Sequence, residues 1–122
     1  MKDEYVLKVL KISLVFCLIS FGNYPVLANG HQTKSLELDK PTVLVTGSNR
    51  GIGFALVKNY AANGWNVIAT CRSPGKAEDL NQLSKQYSSI FIEEMDVTDI
   101  SEIQYLAKKY KNQPIDILIN NA

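Results

Sequence analysis

The 122 residues carry 13 Lys and Arg against 12 Asp and Glu, a net charge of +1, and 46% of them are hydrophobic. That balance suits one soluble domain and gives no charge imbalance of the kind a nucleic-acid partner needs. Two cysteines, Cys17 and Cys71, offer neither metal-ligand spacing nor a disulfide framework, and the only histidine, His31, lies in a polar spacer, so no metal centre and no histidine-based catalysis is expected.

Lys2, Lys8 and Lys11 precede an apolar run from Ile12 to Phe21, and Val26-Leu27-Ala28 places small residues where a signal peptidase cuts. Residues 1–28 therefore read as a signal peptide. The apolar core is short for a bilayer, but extension to Leu27 leaves an uncleaved anchor as the alternative, with membrane contact confined to residues 12–27. Bulky Phe16 ahead of Cys17 argues against a lipoprotein. Residues 29–40 are polar and read as a linker.

Thr42-Val43-Leu44-Val45 is a short β-branched run, the pattern of a strand buried on both faces. Thr46-Gly47-Ser48-Asn49-Arg50-Gly51-Ile52-Gly53 follows it and leads into helical apolar spacing. Strand, glycine loop and helix in that order make a phosphate cradle. Gly47 allows the sharp turn off the strand, Gly51 lets backbone N–H groups approach a pyrophosphate, and Gly53 lets the helix pack closely on the sheet. The anion then sits at the helix N-terminus, where free N–H groups and the macrodipole favour negative charge. The fingerprint G-x-G-x-x-G does not fit, because Asn49 and Ile52 stand where glycines are needed; a P-loop fails for want of Gly-Lys-Ser/Thr.

Beyond the loop, Ile52, Ala55, Leu56 and Tyr60 recur on one helical face, with Gly64 as the stop. Trp65 to Cys71 is the second strand. Ser73-Pro74-Gly75 turns the chain, and Ala77, Leu80, Leu83 and Tyr87 line a second helix. A third strand runs from about Ser89 to Met95. Asp99 to Glu102 has the capping-box pattern, and Ile100, Ile103, Leu106, Ala107 and Tyr110 form the stripe of a third helix. Pro114 precedes a fourth strand, Ile115 to Ile119. Right-handed parallel crossovers make this the N-terminal half of a doubly wound Rossmann-type α/β sheet, with expected strand order 3-2-1-4 over residues 41–122.

In such a unit the end of the second strand meets the adenosine ribose, where a carboxylate would hydrogen-bond a 2′-hydroxyl and repel a 2′-phosphate. Here that position reads Cys71-Arg72. Arg72 offers a donor fork suited to a phosphate, and Arg50 in the glycine loop can reach the same group. NADP(H) is therefore expected over NAD(H).

The spacing T-G-x-x-x-G-x-G over Thr46 to Gly53, Asp96-Val97 after the third strand, and Asn120-Asn121-Ala122 after the fourth together resemble the short-chain dehydrogenase/reductase family. Ala69 to Pro74 and Asp116 to Ala122 are closest in wording to its carbonyl-reductase and C-signal (sniffer-like) subgroup. The resemblance covers Pro41 to Ala122. It implies that Asp96 and the Val97 N–H contact the adenine, and that Asn120-Asn121-Ala122 begin the N-N-A-G motif, whose first Asn steadies the sheet and the adenosine side, with Asn120 and Ala122 as its cofactor-site residues. Thr46, Gly47, Ser48, Asn49, Arg50, Gly51, Ile52 and Gly53 form the cofactor loop.

The resemblance further implies hydride transfer between a nicotinamide and a small-molecule carbonyl or alcohol. A tyrosine exchanges the hydroxyl proton, a lysine lowers its pKa and a serine positions the carbonyl. In the family this Ser and Tyr-x-x-x-Lys lie beyond N-N-A-G, so this chain is expected to carry only the cofactor-binding half, and no catalytic residue is assigned. Tyr105-Leu-Ala-Lys-Lys109 matches Tyr-x-x-x-Lys as a string, but on a helix before the fourth strand, where Lys109 belongs to a solvated face. A non-catalytic nucleotide-binding fragment is the alternative. A nucleotide-sugar epimerase is a weaker one, since its loop runs G-x-x-G-x-x-G. The whole family domain implies a possible homo-oligomer. The N-terminus argues for export or membrane attachment, whereas a reduced nicotinamide pool argues for the cytoplasm.

Overall fold

A computed structural model describes residues 34–122, so the signal-peptide reading of residues 1–28 lies outside the described residues. The elements are β1 (Thr42–Val45), α1 (Gly51–Ala62), β2 (Asn66–Cys71), a 3-10 turn (Pro74–Lys76), α2 (Glu78–Gln86), β3 (Ile90–Glu94), α3 (Ile100–Lys109) and β4 (Ile117–Ile119). The four strands form one sheet in the order β3-β2-β1-β4, and every pairing is parallel. This is the expected Rossmann-type half.

Alternation along the strands divides the core in two. Val43, Val45, Val67, Ala69 and Ile90 pack on one face with Val57 and Ala61 of α1 and with Leu80 and Leu83 of α2. Leu44, Ile68, Phe91 and Met95 pack on the other with Leu106 of α3 and with Leu36. Every residue of β1 and β2 is buried, which explains why these runs are apolar without alternating. Each fully buried Val, Leu or Ile adds roughly 1.5–3 kcal/mol of apolar transfer energy.

Three local readings change. On α1 the buried residues are Gly53, Val57 and Ala61, whereas Ile52 and Ala55 of the expected stripe are exposed. The cause is steric: a Cβ at Gly53 would stand 2.2 Å from the Gly47 carbonyl oxygen. Only a glycine can face that loop, and the positions four and eight residues on follow it inward. β4 begins at Ile117 and not at Ile115, because the Asp116 Oδ2 takes the Thr42 N–H at 2.7 Å in place of a ladder carbonyl. The capping box of α3 is half formed. Asp99 accepts from the Ser101 and Glu102 N–H groups, but the Glu102 carboxylate accepts from the Asp96 N–H and not from Asp99.

Part of the segment read as a linker packs on the sheet. Leu36 is 8% exposed, and the Lys34 ammonium donates to the Ile90 carbonyl. The fully buried Asn66 side chain ties this strap down. Its Nδ2 donates to the Glu37 and Lys40 carbonyls at 2.8 and 3.2 Å, and its Oδ1 accepts from the Glu37 N–H at 3.1 Å. At the other edge, the stripe of α3 faces an open apolar groove of about 780 Å³, shared with Ile115 and Leu118 of the β4 segment. Among the described residues, no helix is long and apolar enough to cross a membrane.

Candidate functional site

The site grows from the turn between β1 and α1. Gly47 and Gly51 hold φ of +62° and +57°, values that L side chains rarely adopt. Their surroundings differ: a Cβ on Gly47 would meet Ala122 Cα at 3.1 Å, while one on Gly51 would meet nothing within 4 Å. The space over Gly51 is thus open for a ligand. Below the loop, the Ser48 N–H donates to the Thr70 carbonyl at 2.9 Å and its hydroxyl to the Val45 carbonyl at 2.7 Å. Beside it, Thr46 Oγ1 accepts from the Asn121 and Ala122 N–H groups at 2.9 and 3.1 Å. The Asn121 amide donates to the Thr46 and Gly47 carbonyls at 3.2 and 3.1 Å. The turn is held from both neighbouring strands.

Over this turn lies a cavity of about 550 Å³. It is lined by Gly47, Asn49, Arg50, Gly51 and Ile52 of the turn and α1, by Cys71 and Arg72 at the end of β2, by Met95 to Thr98 after β3, and by Asn121 and Ala122 after β4. Of the expected site residues, Thr46, Ser48, Gly53 and Asn120 do not line it. The first three support the loop from behind, and Asn120 lines the α3/β4 groove. Asn121, Cys71, Met95 and Thr98 line the cavity although they are not among the expected site residues. Side chains alternate at the end of a strand, so of two adjacent asparagines only one faces the glycine loop; letter order alone does not say which.

The electrostatics favour an anion. α1 has no side-chain hydrogen bond at its N-cap, Arg50, and no acidic residue in its first turn. By contrast, α2 opens with Glu78 and Asp79, and α3 is capped by Asp99. The first-turn N–H groups of α1 thus lack a side-chain partner, and the positive end of its dipole meets the cavity. Arg50 and Arg72 add two guanidinium groups. Hydrogen bonds from Thr98, with the Arg72 charge adding to them, hold the Asp96 carboxyl below its usual range, so it is an ionised acceptor at neutral pH. Burial pushes the Cys71 thiol up, which leaves it neutral rather than a thiolate nucleophile.

The Tyr105-to-Lys109 string stands apart from the cavity over the glycine turn. Tyr105 is 66% exposed, and the Lys109 ammonium is bound by both Glu93 carboxylate oxygens at 2.7 Å. Neither residue lines the cavity over the glycine turn; Lys109 is exposed, as expected of a solvated face, and is also half of an ion pair with Glu93. Among the described residues, no group of three or more His, Cys, Asp or Glu could hold a metal ion.

A parallel β-α-β sheet with a glycine turn opening into an anion-accepting cavity at its strand ends defines a nucleotide-binding Rossmann-type protein. Residues 41–122 match the short chain dehydrogenase profile. The chain belongs to that family. It is 40% identical over 83 residues to an uncharacterized oxidoreductase of Schizosaccharomyces pombe, covering 66% of this chain and 26% of that protein. Among solved structures it resembles menthone neomenthol reductase from Mentha piperita at 32% identity and a TM-score of 0.62, covering 69% of this chain and 32% of that one. A carbonyl reductase from Pseudomonas aeruginosa PAO1 in complex with NADP matches at 26% identity and a TM-score of 0.64, covering 67% and 38% respectively. The chain therefore spans well under half the length of these relatives.

Proposed function

We propose that residues 41–122 hold the adenosine-diphosphate end of NADP(H) in an oxidoreductase that moves hydride between the cofactor and a carbonyl or alcohol carbon. One observation carries the cofactor choice: Arg50 and Arg72 line the same cavity as the glycine turn, and the end of β2 presents no carboxylate. The first-turn N–H groups of α1 would bind the pyrophosphate, Arg72 and Arg50 a 2′-phosphate, and Asp96 with the Val97 N–H the adenine. Bound cofactor supplies the hydride; the residues of this chain bind and orient it. The NADP complex of the P. aeruginosa carbonyl reductase supports both the cofactor and the carbonyl substrate class.

A charge-assisted hydrogen bond is worth roughly 1.5–3 kcal/mol. Fluorescence titration of NADPH against Arg72→Ser and Arg50→Ser should therefore show affinity lost by about tenfold to a hundredfold in at least one variant, with NADH binding little changed. Equal NADPH affinity in the unaltered chain and both variants would overturn the cofactor choice. The N-terminal reading carries a separate proposal, export or membrane attachment through residues 12–27. Fractionation of cells expressing the chain tests it, and recovery wholly in the soluble cytoplasm would refute it.

A further inference from the structure

The wall of the cavity formed by Asp96, Val97 and Thr98 is thin. Met95 and Val97 line both the nucleotide cavity and the α3/β4 groove, and Val97 is 41% exposed. With open space on both sides, packing holds this turn weakly, and its hydrogen bonds decide its position. Thr98 donates twice to Asp96 Oδ1, from N–H at 2.9 Å and from its hydroxyl at 2.7 Å. Those bonds are internal to the turn. The bond that joins Asp96 to the first turn of α3 runs from the Asp96 N–H to Glu102 Oε2, at 2.6 Å.

Glu102 is free to make it because of what happens at the helix cap. A glutamate at the third helical position ordinarily reaches back to the N-cap N–H. Here the Asp99 N–H donates instead to the Asp96 carbonyl at 3.0 Å, which leaves the Glu102 carboxylate to go one step further upstream. Glu102 is itself held by its own N–H, which donates to Asp99 Oδ1 at 3.3 Å. Helix cap and cavity wall thus share one hydrogen-bonded frame.

We infer that Glu102 is a positioning residue for the adenosine end of the cofactor: it lines neither cavity, yet it sets the backbone that presents the Asp96 carboxylate and the Val97 N–H. This rests on the cofactor reading above. It implies that the adenine subsite is carried by α3 as much as by β3. Glutamine keeps a neutral acceptor at the same reach, whereas alanine removes it.

The test uses the 122-residue chain unaltered and as Glu102→Ala and Glu102→Gln, titrated with NADPH, 2′,5′-ADP and inorganic pyrophosphate. Hydrogen exchange at the Asp96 amide is followed without ligand. Glu102→Ala should bind NADPH and 2′,5′-ADP about tenfold more weakly, the loss of one charge-assisted bond. Pyrophosphate, which has no adenine, should bind as before, and the Asp96 amide should exchange faster. Glu102→Gln should restore most of both. If the unaltered chain binds NADPH and the alanine variant binds it equally well, or loses pyrophosphate in the same proportion, the inference is overturned while the cofactor reading stands. If the unaltered chain binds none of the three, the cofactor reading fails and takes this inference with it.

Discussion

The missing side chain of Gly53 is matched to the carbonyl of Gly47: a Cβ would sit 2.2 Å from that oxygen and 2.6 Å from the Asn121 amide nitrogen. Two segments far apart in sequence, the glycine turn and the end of β4, therefore converge on one helical residue. Neither the backbone carbonyl nor the tethered amide can give way cheaply. Gly53→Ala should lower stability by about 1–3 kcal/mol, the usual cost of overpacking. Urea denaturation monitored at Trp65 measures it, and an unchanged midpoint would mean that the loop is looser than described.

Gly51→Ala is a different case. Nothing lies within 4 Å of its Cβ position, but φ is +57°, which costs an L residue roughly 1–2 kcal/mol. The added methyl also enters the cavity. NADPH affinity should fall by more than the stability loss accounts for, and titration beside a denaturation curve separates the two.

How much of this was legible in the sequence depends on what each residue had to meet. Val43, Val67 and Ile117 stand in register across β2-β1-β4; Val43 and Val67 are legible as strand residues because burial on both faces leaves an unbroken apolar run, while Ile117 belongs to an apolar run that is only partly buried. The glycine turn is legible because positive φ at Gly47 and Gly51 and crowding at Gly53 demand glycine. On α1, Leu56 and Tyr60 of the expected face pack on the core, but Ile52 is apolar and yet 73% exposed; it lines the cavity, and no periodicity separates that from a core position. The stripe of α3 is legible as a pattern, but only Leu106 of it is buried, since Ile103, Ala107 and Tyr110 face a groove and Ile100 is 70% exposed. Leu36 was lost in a polar segment, and its packing is legible only once Asn66 is known to hold the strap. Asn121 was overlooked beside its twin, Asn120.

Asn66 should act as the lock of that strap. It is fully buried and bonds Glu37 through both its N–H and its carbonyl. Asn66→Ala leaves those groups without their partner, at a cost of about 1–3 kcal/mol. Limited proteolysis should then cut within residues 34–40 before the rest of the sheet unfolds; an unchanged cleavage pattern would mean that Leu36 alone suffices.

Stability should fall at alkaline pH through Tyr110. Burial first, then the Glu93 hydrogen bond and charge, push its phenol above the usual range; the hydroxyl donates to Glu93 Oε1 at 2.6 Å. A pKa raised by folding stabilises the protein below the unfolded value, about 10, and that contribution is lost as pH rises above it. Tyr110→Phe should therefore be less stable than the unaltered chain at pH 8, and the gap should narrow above about pH 10. Urea midpoints measured across that range test the sign.

At the acid end the sign reverses for Asp99. Hydrogen bonds from the Ser101 hydroxyl and from the Ser101 and Glu102 N–H groups hold its carboxyl below the usual range. The cap stabilises α3 above the unfolded carboxylate pKa of about 3.9 and is lost as pH falls through the folded value. Asp99→Ala should lower the urea midpoint at pH 7, with the difference fading as pH drops below about 4.

Calorimetric titration of NADPH and of NADH into the same unaltered chain decides the cofactor choice, because the two ligands differ only in the 2′-phosphate that Arg72 and Arg50 are proposed to hold. NADPH should bind at least about tenfold more tightly, the worth of one charge-assisted contact. Equal affinities, or tighter binding of NADH, would contradict that choice.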